Sequence, residues 1–108
     1  MYIAIVQISG LQRTQEEAIA SGLASAEKFT SVDGLISKHY LTGESGGGGV
    51  YMFESQEKAE AWFNDDWRPM MEKTFGVKPT LTCYHNHVVV DNSAGEIRVD
   101  GTKVDSAA

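Results

Sequence analysis

The stretch Tyr2-Ile3-Ala4-Ile5-Val6-Gln7-Ile8-Ser9 decides how the rest of the chain is read. Its β-branched content, its length and the Gly10 that follows predict a strand. Side chains alternate across a strand, so its two faces are Tyr2/Ala4/Val6/Ile8 and Ile3/Ile5/Gln7. Both are mostly apolar. A strand with one wet face alternates apolar and polar residues; this one reads as buried on both sides. Each face of the sheet it enters therefore needs a cover.

Outward from that strand, Thr14-Gln15-Glu16-Glu17 is a capping box that opens a helix. Ile19, Gly22, Leu23, Ala26 and Phe29 follow at helical spacing as one apolar stripe. Gln15, Glu16, Ser21, Ser25 and Lys28 fall opposite, and the helix is expected to end near Thr30. Asp33-Gly34 signals a turn. A second strand over residues 35–42 follows. The run Gly43-Glu44-Ser45-Gly46-Gly47-Gly48-Gly49 is read as the short link of an antiparallel hairpin to a third strand, 50–54. Ser55 caps a second helix with Ala59, Trp62, Phe63 and Met70 on one stripe. Pro69 removes a backbone donor and clashes with the preceding turn, which predicts a break near residues 65–68. A last helical piece is expected through Thr74, with Gly76 as its C-terminal cap. A fourth strand over 81–90 comes after Pro79. In residues 93–108, Glu96-Ile97-Arg98-Val99 and Thr102-Lys103-Val104-Asp105 flank Asp100-Gly101. That pair signals a type I′ hairpin, and a frayed terminus is the other reading.

Strand, helix, strand, strand, helix, strand is the ferredoxin-like β-α-β-β-α-β arrangement, an α+β fold with an antiparallel sheet. Right-handed crossovers put both helices on one face. The first strand and Val88-Val89-Val90 still offer apolar groups both ways. A second copy is the simplest cover for the other face, so the expectation is a homodimer, a dimeric α+β barrel with its helices outside. Residues 1–92 make the domain and 93–108 a tail.

The chain has 108 residues, enough for one domain. A domain that small buries only about 60–68% of its unfolded surface and gains from a partner subunit. Its formal net charge is −6, and nine basic residues are scattered without a cluster. Nucleic acid and anionic membrane surfaces both select for a basic patch, so neither is an expected partner. Cys83 is the single cysteine, which excludes an internal disulfide and suits a reducing compartment. The first residues lack a basic segment and a cleavage site, and no apolar run approaches the ~20 residues of a membrane span. The expected location is cytoplasmic.

Gly34-Leu35-Ile36-Ser37-Lys38, Gly48-Gly49-Val50-Tyr51-Met52-Phe53 and Phe75-Gly76-Val77 resemble the pattern of the YdhR-like monooxygenases, within the antibiotic-biosynthesis-monooxygenase group. The resemblance spans roughly residues 1–92. It implies the strand order 4-1-3-2, the dimer, and an activity on small aromatic or polyphenolic compounds with molecular oxygen and no cofactor. Haem-degrading relatives use an Asn on the first strand and a Trp and a His on the second helix. Here the first strand offers Gln7 and the second helix has no His. The segment Asp65-Asp66-Trp67-Arg68-Pro69 departs from the YdhR-like pattern. A non-catalytic binding or stress-response module, and a cofactor-free isomerase or lyase, are the alternatives on the same fold.

Oxygenation without a cofactor needs a base, and an apolar pocket that holds a carbanion or phenolate beside oxygen. His39 and His85 are the candidate bases, with His87 beside them, because imidazole titrates near neutral pH. Tyr51, Trp62 and Trp67, with Tyr40, are the candidate aromatic walls. Arg68 is the candidate anchor for a phenolate or carboxylate. His85 and His87 lie two apart and would share a strand face, but a metal needs a third ligand. His39 sits at the opposite sheet edge, three strand spacings or about 14 Å away. No metal site is expected. Cys83 reads as a small buried apolar group. Gly46–Gly49 lacks the Gly-Lys-Ser/Thr ending of a phosphate-binding loop.

Overall fold

The structure, a computed structural model, describes residues 1–104. Its elements are β1 (Tyr2–Ser9), α1 (Gln15–Phe29), β2 (Leu35–Gly43), β3 (Gly46–Phe53), α2 (Gln56–Trp62), α3 (Trp67–Phe75), β4 (Thr80–His85), β5 (Val88–Asp91), β6 (Glu96–Val99) and β7 (Thr102–Val104). The first four strands of the chain form an antiparallel sheet in the order β2-β3-β1-β4. This is the α+β, ferredoxin-like arrangement that the element order predicts.

Local chemistry sets the helix ends. The Thr14 hydroxyl accepts the Glu17 amide at 3.1 Å, and the Glu17 carboxylate accepts the Thr14 amide at 2.9 Å. The expected stripe on α1 is rotated, however. Ile19 and Leu23 are 53% and 71% exposed. Gly22 instead faces the ring of Tyr40, and the Ser25 hydroxyl meets the Tyr40 hydroxyl at 2.8 Å. Turning Gly22 and Ser25 toward β2 carries Ile19 and Leu23 outward.

The second helix is broken where Pro69 requires it. α2 starts on Ser55, whose hydroxyl accepts the Lys58 amide, and ends at Trp62. α3 restarts at Trp67, which puts Pro69 in its first turn, where a backbone amide has no helical partner. Gly76 closes α3 with its N–H on the Glu72 carbonyl.

Two strand boundaries differ from the sequence reading. The glycines are strand, not connector: β3 begins at Gly46, leaving residues 44 and 45 as the hairpin loop. Gly48 has φ 150°, and a Cβ there would collide with the Val6 carbonyl oxygen on β1. Only glycine lets β1 and β3 pair this closely. The expected fourth strand over 81–90 is also split. β4 stops at His85, where the Asn86 amide donates to the Met1 carbonyl at 2.8 Å. β5 then leaves the sheet and joins β6 and β7 in a second one, ordered β5-β6-β7. Asp100 (φ 48°) and Gly101 (φ 83°) make the tight turn between β6 and β7. Asp105 lies outside the described residues.

The core forms on one face of the four-stranded sheet. Ala4, Val6 and Ile8 of β1, Tyr51 and Phe53 of β3, Ala59 of α2 and Trp67 of α3 are buried. Phe63, in the break between the two helices, meets Tyr51 and Trp67 edge-on with ring centroids 5.0 Å away. Each such side chain contributes about 1.5–3 kcal/mol when removed from water. The other face carries Ile3, Ile5, Val50 and Met52, which are half-buried, with Leu41 and Tyr84 exposed. Among the described residues, no helix is long and apolar enough to cross a membrane.

Candidate functional site

A cavity of about 250 Å³ opens between the sheet and the helices. Val6, Ile8, Gly48 and Gly49 form its floor. Phe29 of α1, Tyr40 of β2, Tyr51 of β3, Trp62 of α2 and Trp67, Met70 and Phe75 of α3 contribute its walls. The floor is low because Gly49 has no side chain. A Cβ there would stand 3.3 Å from both Lys38 Cε and the Tyr51 ring. The rotation of α1 helps too, since it brings Ser25 to the wall instead of a larger apolar residue.

Lys38 is the central polar group. It shares a sheet face with Tyr51, its register partner, and with Tyr40. That placement depends on a bulge. Leu35 pairs with Phe53 and Ser37 with Met52, so Ile36 is an extra residue. The bulge sends Lys38 toward the helices and Ser37 and His39 the other way. The Lys38 ammonium lies 3.6 Å from the Phe29 ring centroid, 4.0 Å from that of Tyr40 and 4.8 Å from that of Tyr51. Among the described residues it has no carboxylate or hydroxyl partner. Removal from water lowers its pKa to about 8, and the nearby Lys28 adds to the effect. Burial, with Tyr40 alongside, pushes the Tyr51 hydroxyl well above its ordinary range.

The charge of the cavity is one-sided. Among the described residues, Arg13, Lys28 and Lys38 line it and no Asp or Glu does, in a chain of formal net charge −6. The indole Nε1 of Trp62 is buried without a hydrogen-bond partner.

The residues expected from the sequence divide by place. Tyr51, Trp62 and Trp67 line the cavity together, with Tyr40. Arg68 does not. Its guanidinium donates to the Pro79 carbonyl at 2.6 Å and ties α3 to the start of β4. His39 pairs with Val50 and lies on the sheet face away from the helices, with Ser37. His85 pairs with Tyr2, at the opposite end of β1 from Ile8 and the cavity floor. Its ring stacks on His87 at 5.9 Å, and His87 Nδ1 meets Asp100 at 2.7 Å. No group of three metal-ligating side chains occurs among the described residues. Sequence reading passed over Lys38, Arg13 and Lys28. Their signal was their placement among aromatics distant in the chain, which spacing alone does not reveal.

The architecture has a solved counterpart. It matches the crystal structure of a monooxygenase from the gene ActVA-Orf6 of Streptomyces coelicolor in complex with the ligand nanaomycin D. The TM-score is 0.60 over 82% of this chain and 89% of that one. This chain has the fold of that monooxygenase. Sequence identity is 14%, so the likeness is one of fold. No family model and no curated protein matches the chain.

Proposed function

We propose that the protein is a cofactor-independent monooxygenase of the YdhR-like kind, acting on a small aromatic or polyphenolic compound in the cavity between α1, α3 and the sheet. The observation that carries this reading is the cavity's lining: aromatic walls around a cation that has no ion-pair partner among the described residues, on a fold shared with a monooxygenase. A phenol oxygenated at a ring carbon gives a quinone and water, taking up one molecule of oxygen. One oxygen atom enters the ring as a carbonyl and the other leaves as water. The phenol itself supplies the four electrons, so no external reductant is required. The substrate reacts as its anion, and cations near the ring oxygen lower the energy of that anion. No step is assigned to His39 or His85, which stand outside the cavity.

The working form in this proposal is a cytoplasmic homodimer, consistent with the lone Cys83 and with the apolar side chains on the helix-free face of the sheet. Binding without turnover is the second reading, favoured by the absence of a histidine from the cavity lining. Oxygen uptake by metal-stripped protein with a panel of di- and trihydroxyaromatics tests the proposal. Stoichiometric uptake with quinone formation supports it; binding of the same compounds without uptake replaces it with the second reading.

A further inference from the structure

We infer that the cavity selects ligands bearing an anionic oxygen on an aromatic frame, and that Lys38 is the residue that pairs with that oxygen. The inference concerns the site proposed above, but it rests on that site's charge and shape rather than on oxygen chemistry.

An ammonium carries three N–H donors and loses hydration when it is enclosed. Three ring faces return part of that loss by cation–π attraction. They offer no acceptor for the donors. A structural lysine in this position would be expected to reach a carboxylate or a carbonyl, and among the described residues Lys38 reaches neither. The groups facing it are Lys28 from α1, Tyr40 beside it on β2 and Tyr51 from β3, with Arg13 lining the same cavity. None of these is anionic near neutral pH. A cationic ligand would meet three like charges. A neutral hydrocarbon would strip water from them without replacing its hydrogen bonds. An aromatic anion satisfies every part at once: its ring packs on Phe29, Trp62 and Trp67, and its oxygen meets Lys38. Because the rest of the chain is acidic, the cavity is a local positive well, and field focusing into such a cleft favours anions further.

The test compares 2-naphthoate with the neutral, nearly isosteric 2-naphthamide by calorimetric titration of the full chain. Naphthoate is expected to bind about tenfold or more tightly than the amide, the scale of one charge-assisted hydrogen bond. Lys38→Met keeps the stem and removes the charge; it is expected to abolish the preference while leaving amide affinity within about twofold. Lys38→Arg is expected to restore it. If Lys38→Met does not fold, the pH series on the unaltered protein decides. Lys38 loses its proton above about 8, so the preference shrinks between about pH 7 and about pH 10 while amide binding stays constant. Equal affinity for the two probes, equal weakening of both by Lys38→Met, or no binding of either overturns the inference. Oxygen uptake is read separately. A charge preference without uptake leaves this inference standing and removes the monooxygenase reading; uptake without the preference does the reverse.

Discussion

Among the described residues, the half-buried Lys38 ammonium faces three rings and no carboxylate. The same residue separates the two histidine hypotheses from the cavity. His39 is its neighbour in sequence, yet alternation along β2 sends the two side chains to opposite faces. The expected outcome is that His39→Ala leaves oxygen uptake unchanged, while Lys38→Met reduces it about tenfold or more, the effect of losing a charge that meets the reacting anion. Uptake lost with His39→Ala instead would put the chemistry on the other side of the sheet. Tyr51, Trp62 and Trp67 were legible as walls because large aromatics on predicted core stripes have few other places to go. Lys38 was not legible, because its partners Phe29 and Tyr51 are brought to it by two other elements, α1 and β3. The bulge at Ile36 that aims it leaves no mark in the local sequence.

At the scale of elements, the glycine run is the most consequential misreading. Four consecutive glycines look like a linker, and propensity says the same. Tertiary context overrides it, because β1 and β2 press on both edges of that stretch. Gly48→Ala is expected to destabilise the fold by about 2–3 kcal/mol, since the backbone conformation and the Val6 carbonyl both exclude a Cβ. Thermal unfolding of the variant checks this. Gly49→Val, which adds bulk to the cavity floor, is expected to weaken naphthoate binding about tenfold with a smaller loss of stability. The helix signals fared better, for a physical reason. Thr14 with Glu17, and Pro69 with Gly76, act through backbone groups a few residues away, so their chemistry is complete within the local sequence. The apolar stripe of α1 was less reliable. Which side of a helix faces inward depends on what the sheet presents, and here Tyr40 presents a ring to Gly22.

The whole molecule is longer than a domain of its size should be. Its radius of gyration is 15.5 Å, against roughly 13 Å for a compact domain of about 100 residues, and its longest extent is 49 Å. The excess fits the three-stranded sheet of β5, β6 and β7. By register, Val88, Val90, Ile97, Val99 and Val104 share one of its faces, and Val88 and Val90 are 59% and 64% exposed. Three strands need a covered apolar face to be stable. The expectation is that the proposed homodimer covers this face too, so Val90→Asp is expected to shift the protein toward monomer in sedimentation while leaving the four-stranded sheet folded. A monomeric native chain would refute the dimer. The order of that main sheet also governs how the chain reaches its fold. β1 is synthesised first, but its two neighbours are β3 and β4, which come some forty and eighty residues later. A ribosome-bound chain must therefore carry an apolar strand with both edges unpaired until β3 emerges, and with one edge unpaired until β4 follows, when most of the domain has been made. Closing such distant pairs is slow, and unpaired edges invite other chains. Overexpression is expected to expose this as aggregation of nascent protein, a vulnerability in time that is invisible in the finished structure.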